Sequence, residues 1–323
     1  MPTNPSEPRP QSPPLSATAT SDRYPAFVET LEYRRFTEFC DACRRYRYIG
    51  LCFGAPGIGK TLSAARYSRA ESVDSFDKRT DEWKEAATFD TVLYTPSVLN
   101  TPSGVATGIR RACERLEVIA KRPIREEARK VLDALRIQDD ASRIGYFDRP
   151  SSQWKYPLPP SPTFLDTLTI YNERERAITD PTTLILIDEA DRLRMNSLEQ
   201  VRDRFDAGGV GLILIGMPGI EKRLARYPQF YSRIGFVHEF RVLSAANVRE
   251  LLETRWAPNG VTLPEAGLSA EAIAAVIRVT GGNFRLLNRL LTQIERILEV
   301  NHLGEVTVAV VQAARESLVI GQA

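Results

Sequence analysis

Histidine is almost missing from this chain of 323 residues: there are two, His238 and His302, far apart in sequence. Catalysis built on a histidine base is therefore not expected. Cysteine is scarce too, with four. Cys40 and Cys43 have a C-x-x-C spacing, but a zinc knuckle needs a second ligand pair. Both also fall in a helical pattern, so reduced structural thiols are the expectation. No apolar run approaches the ~20 residues of a membrane span. The N-terminal stretch is rich in Pro, Ser and Thr and lacks the apolar core of a secretory signal. A cytoplasmic protein with no membrane partner is expected. Charge of one sign is lacking as well: 43 Lys and Arg face 41 Asp and Glu, a net +2, so the whole molecule is no polycation.

What is present is ordinary for a globular protein, with 43% hydrophobic and 26% charged residues. The length suits one large domain or two modest ones. Residues 1–22 have almost no large apolar side chains and read as a disordered tail.

The strongest local signal is Gly54-Ala55-Pro56-Gly57-Ile58-Gly59-Lys60-Thr61, which fits G-x-x-x-x-G-K-[ST]. Ile49–Phe53 before it reads as a short buried strand, and Leu62 onward reads as a helix. The glycines let the backbone turn its N–H groups onto a triphosphate. The helix start adds the positive end of its dipole. Lys60 is expected on the β- and γ-phosphates and the Thr61 hydroxyl on Mg²⁺. A chance glycine-rich turn is the alternative, and the strand–loop–helix context speaks against it.

Thr182 to Ile187 is a continuous apolar run, as a buried parallel strand requires. It ends in Asp188 and Glu189. Asp188 is expected to reach Mg²⁺ through water beside Thr61, and Glu189 to orient and polarise the water that attacks the γ-phosphate. Further strands are expected at Thr91–Thr95, Val210–Gly216 and Phe236–Phe240. The last part of the Val210 strand, Gly216-Met217, offers no polar side chain to sense a γ-phosphate.

Between these elements the pattern is mostly helical. Tyr24 to Tyr48 carries Arg34, Arg35, Arg44, Arg45 and Arg47 with Tyr46 and Tyr48 interleaved. This is either a nucleotide or nucleic-acid surface or a solvated helix face. A helix is expected from about Gly104 to Ala120. Arg110 to Lys130 holds eight basic residues against four acidic ones. Arg110, Arg111, Arg115, Lys121 and Arg122 are the candidate phosphate contacts of double-stranded DNA. The alternative is an exposed helix carrying i,i+4 ion pairs. Residues 137–162 have aromatics and prolines without a period and read as a long insertion. Arg233 is either an arginine reaching a neighbouring subunit's nucleotide or a surface residue. Four helices after residue 242 suit a small lid, with Arg285 in the first turn of the third.

Together these residues make the chain resemble AAA+ ATPases. Gly54–Thr61 is similar to Walker A and Leu184–Glu189 to Walker B. Arg233, in Ser-Arg-Ile, resembles the arginine finger, and Arg285, in Gly-Gly-Asn-Phe-Arg, the second sensor. With Gly-Met-Pro-Gly-Ile after the sensor strand, the chain is most similar to transposition ATPases of the TniB/TnsC/MuB type. The resemblance implies an α/β core at 23–241, a parallel sheet flanked by helices, and a four-helix lid at 242–323. It implies ATP and Mg²⁺ as cofactors and a homo-oligomer, ring or filament, that marks target DNA and recruits a transposase. A nucleotide-dependent signalling switch without DNA contact, and a helicase loader, are the competing readings.

Overall fold

The computed structural model describes residues 27–76, 88–144, 161–254, 256–258, 260–264 and 267–318, with side chains in the helix ending at 144 described as far as 137. Five strands form one sheet: β1 (Ile49–Phe53), β2 (Thr91–Tyr94), β3 (Leu184–Ile187), β4 (Gly211–Gly216) and β5 (Ile234–Glu239). Their spatial order is β2-β3-β4-β1-β5 and every pairing is parallel. The apolar runs explain why. β3 and β4 are buried at every position, which only a strand covered on both faces can be. Alternation then sorts the side chains: Ile185, Ile187, Leu212 and Leu214 enter one core, and Leu184, Leu186, Ile213 and Ile215 the other.

The second of these faces is covered by α1 (Leu31–Tyr46) and α2 (Lys60–Tyr67). Phe36, Phe39, Cys40 and Cys43 of α1 are its buried stripe. All four cysteines are free and buried. Burial alone pushes the Cys43 thiol up to about 12, the behaviour of a packing residue. α3 (Ala70–Ser75) follows α2, and residues 77–87 lie outside the described residues.

The first face is covered by α4 (Pro102–Ile144) and α6 (Met195–Asp206). Here the structure corrects the expectation of a helix ending near Ala120: α4 is one helix of 43 residues running through Pro123. A proline inside a helix costs ~3 kcal/mol and removes one hydrogen bond. The residues beyond it are strong helix formers, and they gain a partner in α5 (Pro162–Arg176). Glu175 accepts Arg125 at 2.5 Å, and Glu127 receives the Tyr171 hydroxyl at 3.0 Å and Arg174 at 3.3 Å. The first part of the expected 137–162 insertion is thus helix, and residues 145–160 lie outside the described residues, as does the N-terminal tail.

Two short helices, α7 (Ile220–Leu224) and α8 (Pro228–Tyr231), lead into β5. The chain then forms α9 (Ala245–Glu253), α10 (Ala270–Thr280), α11 (Phe284–Val300) and α12 (Val308–Glu316). These pack around their own apolar cluster, including Val248, Val276, Leu287, Leu291 and Val311. No helix among the described residues is long and apolar enough to cross a membrane.

Candidate nucleotide site

β1 and β3 flank β4 in a parallel sheet, so the segments leaving them emerge side by side at one edge. β1 feeds Gly54–Gly59 and β3 feeds Asp188 and Glu189. A cleft of about 510 Å³ lies there, lined by Pro56, Gly57, Gly59, Lys60, Thr61, Leu62, Asp188, Glu189 and Arg285, with Asp191, Arg192 and Asn288. That position, outside the carboxyl ends of parallel strands, is where open α/β sheets bind ligands. A larger cleft, of about 750 Å³, runs between α4 and α6 and holds none of the phosphate-loop residues.

Two glycines of the loop hold left-handed backbone. Gly57 has φ +79°, and a Cβ there meets Asn283 Oδ1 and Arg285 Cβ at 2.8 Å. Gly59 precedes α2 at φ 107°. Ile58 is buried beneath the loop, and Ala55 is exposed. Lys60 is 9% exposed. Its Nζ donates to the carbonyls of Gly54 at 2.5 Å and Ala55 at 2.8 Å. Burial lowers its pKa, and Asp188 and Asp191 act against that. The lysine thus lies inside the cleft, donating to the loop's own carbonyls.

Asp188 is 2% exposed. Its Oδ1 accepts the Glu189 N–H at 2.9 Å, and its Oδ2 is buried without a hydrogen-bond partner. Burial raises its pKa, and the nearby Thr61 hydroxyl is the chief opposing influence. A buried, unpartnered carboxylate oxygen beside a hydroxyl and a phosphate loop fits a hard divalent cation with oxygen ligands. Thr61 and Asp188 are the residues that would hold Mg²⁺.

Glu189 sits at φ 50°, ψ 43°, the left-handed region, which a residue with a side chain enters at a cost. Its carboxylate is half-exposed and ion-paired to Arg192. Asp191 carries no motif of its own in the sequence. In the fold its Oδ2 reaches the tip of β4 and accepts the Met217 N–H at 2.7 Å. A Cβ on Gly216 comes within 2.7 Å of the same oxygen. The polar side chain missing from the end of β4 has its space filled by a carboxylate from the neighbouring segment.

Arg285 reaches the cleft from the C-terminal helices. Its backbone N–H donates to Gly57 O at 2.8 Å, and the Asn283 side chain donates to Pro56 O at 2.9 Å. Arg233 is elsewhere. It precedes β5, where its carbonyl accepts the Ile49 N–H at the start of β1. Its guanidinium donates to Asp206 at 2.6 Å and to the Gln229 carbonyl. Four residue steps of β1 separate Ile49 from Phe53, ~13 Å at 3.3 Å each.

The candidate DNA residues lie on α4. Arg110 pairs with Glu114 at 2.8 Å, Lys121 with Glu117, and Arg122 with Glu126 at 3.1 Å. Arg115 donates to Val73 O at 2.8 Å. At the end of α1, Tyr46 and Tyr48 are 56% and 47% exposed, and the Arg45 guanidinium lies 5.5 Å from the Tyr46 ring centre. No acid pairs with Arg45 or Arg47 among the described residues.

A family model described as AAA domain matches residues 43–224, from the end of α1 to α7. The chain belongs to this family. The AAA chain is 38% identical over 298 residues to a potential ATP-binding protein of Staphylococcus aureus, covering 91% of this chain and 97% of that one. Among solved structures it is similar to the Aeropyrum pernix ORC2 protein in its ADPNP–ADP complexes. The TM-score there is 0.52 at 14% identity, over 95% of this chain and 73% of that one. It is also similar to the Thermotoga maritima RuvB Holliday junction branch migration motor, with TM-score 0.49 and 13% identity, over 91% and 71%. At 14% identity the ORC2 likeness is one of fold. The chain is an ATP-binding AAA+ protein with a five-stranded parallel core.

Proposed function

We propose that this AAA ATPase hydrolyses ATP at the interface between its own subunits, and that assembly on double-stranded DNA is the event ATP controls. The observation that carries the reading is the meeting of Lys60, Thr61, Asp188, Glu189 and Arg285 at one cleft. Lys60 and the loop N–H groups bind the phosphates, and Arg285 closes over them. Bound Mg²⁺ would neutralise charge on the β- and γ-oxygens. Glu189 accepts a proton from the attacking water. The new bond is from that water to the γ-phosphorus, and the bond to the β–γ bridging oxygen breaks, leaving its electrons on ADP.

Arg233 supports the subunit interface. It lies about a strand length from its own phosphate loop, so a nucleotide it touches belongs to a neighbour. The DNA part is supported by Arg111, Arg45 and Arg47, cations outside the ion pairs of the helix surface, with exposed Tyr46 and Tyr48 beside the last two. Regulation of transposition, with a transposase as partner, is the finest level of the reading and rests on the sequence resemblance. The ion pairs along α4 favour the competing reading, a nucleotide switch that does not touch DNA.

Light scattering of the whole chain with duplex DNA, at two salt concentrations, separates the two. Large assemblies are expected with ATP and not with ADP, and Lys60→Ala is expected to form none. Glu189→Gln should assemble and persist, because hydrolysis is what disperses the complex. A protein that binds ATP yet remains unchanged by DNA at low salt belongs to the second reading.

A further inference from the structure

β5 is the edge strand next to β1, and it starts with an irregularity. The pairing runs from Ile49 opposite Ile234 to Gly50 opposite Phe236, so Gly235 is an extra residue. Such a bulge re-aims the side chains around it. Ile234 packs against the core beneath α4 and α6, and Phe236 against the one beneath α1. A Cβ on Gly235 would collide with the Tyr48 ring, which covers the bulge. Phe236 then meets two tyrosines from the end of α1. Its ring centre lies 5.6 Å from that of Tyr48, edge-on, and 5.9 Å from that of Tyr46.

Both tyrosines remain about half-exposed. The Arg45 guanidinium stands over the Tyr46 ring, and Arg47 is exposed between the two tyrosines in sequence. Arg44 behind them is taken up by Asp90 and Thr91. Arg45 and Arg47 pair with no acid among the described residues. Arg233, in contrast, turns its guanidinium to Asp206 of α6. The α1 face of the sheet thus carries the rings, and the α6 face the proposed finger.

Free arginines answer phosphates, in a duplex as in a single strand. Rings are a different matter. In a duplex the bases are stacked on one another, and a protein meets their edges and the phosphates. A base offers its face to a tyrosine only where it has lost a neighbour. Aromatic stacking combined with cations along the backbone is how single strands are held.

We propose that Tyr46 and Tyr48, backed by Phe236, stack on unpaired DNA bases, with Arg45 and Arg47 on the adjoining phosphates. The protein then holds a stretch where the strands are parted, in addition to the duplex itself. This deepens the DNA part of the function proposed above and rests on it.

The test uses the full chain with ATP and Mg²⁺ and two labelled probes. One is a thymidine oligomer of about 20 nucleotides, longer than the ~4–16 that one single-strand site covers. The other is a duplex of the same length. Wild type is expected to bind both. Tyr46→Ala and Tyr48→Ala each weaken the oligomer about fivefold or more, the low end for a lost base stack. They leave the duplex within about twofold, because its phosphate contacts are untouched. Tyr46→Phe keeps the ring and binds the oligomer like wild type. Replacing Arg45 and Arg47 together by Gln weakens both probes and flattens the salt dependence. An oligomer bound equally by wild type and the two Ala variants overturns the platform, as does an equal loss for both probes in those variants. Loss of their ATP-dependent self-association without DNA also overturns it, since the rings are then a contact between copies. If wild type binds the duplex and not the oligomer, only the platform has failed. If it binds neither, the DNA reading has failed and the platform falls with it.

Discussion

Asp188 combines near-complete burial, a raised pKa and an oxygen with no partner. For a carboxylate this is a penalty on the charged form, since burial removes the water that stabilised it. The sign of its pH dependence follows. With the folded pKa above the unfolded one, its contribution to stability is fully present below the unfolded carboxylate pKa. It is lost as pH rises through the folded value. At neutral pH, without a cation, the side chain works against folding. Asp188→Asn is therefore expected to melt higher than wild type at pH 7–8 without nucleotide, by about 1–2 °C if the relief is near 1 kcal/mol. The gap should narrow as pH is lowered through the acidic range, and the variant should lose any Mg²⁺-dependent rise in melting temperature. Calorimetry across pH checks all three. An Asn variant that melts lower at neutral pH would show that the unpartnered oxygen is not a liability. The strain at Glu189 belongs to the same scale: one residue after Asp188, the backbone enters a region disfavoured for side chains and turns the second acid toward the cleft.

At the scale of elements, α11 connects the C-terminal helices to the phosphate loop. Asn283 caps it, its Oδ1 accepting the N–H groups of Arg285 and Leu286, while its Nδ2 donates to Pro56 O. One amide thus starts the helix and ties it to the loop. Asn283→Ala removes both functions. The lost cap costs about 1 kcal/mol, or about 1–2 °C for a chain of this size, and KM for ATP should rise several-fold. Asn283→Ser keeps an N-cap acceptor but cannot reach Pro56, so its melting temperature should recover while KM stays high. Equal KM in all three proteins would mean the tie has no part in binding. This element also shows how far the sequence could be read. The Gly-Gly-Asn-Phe-Arg run is legible in the sequence, but the partner of Asn283 stands 227 residues away, beyond any local pattern. The strands were legible because burial on both faces leaves continuous apolar runs. The phosphate loop was legible because its residue types are fixed by backbone geometry. α4 was misread because Pro123 is a stop signal locally, and the pairing with α5 that overrides it is tertiary. Tyr46 and Tyr48 were legible among their arginines, but their meeting with Phe236 exists only once β5 lies beside β1.

Over the whole molecule, the two halves of the proposed reaction centre sit at opposite ends of the sheet. Lys60 and Glu189 are at the carboxyl ends of the strands, and Arg233 is at the amino end of β5. If Arg233 serves a neighbour's nucleotide, a head-to-tail, heterologous contact would complete each site and lead to rings or filaments. In the structure Arg233 is held by Asp206 and Gln229, so a neighbour must draw it off those partners. Arg233→Ala is expected to bind ATP like wild type and to lose hydrolysis by ~10³-fold or more, the scale of an arginine finger. Glu189→Gln should be similarly inactive. The decisive experiment mixes the two inactive proteins in equal amounts. An Arg233→Ala subunit still offers Glu189, and a Glu189→Gln neighbour still offers Arg233, so with random head-to-tail assembly about a quarter of the interfaces are intact. The mixture should recover a comparable fraction of wild-type turnover, and the recovery should disappear on dilution below the concentration at which subunits associate. A mixture as inactive as its parents, measured where the subunits are associated, would place the whole reaction within one chain, and an Arg233→Ala protein as active as wild type would leave Arg233 a surface residue.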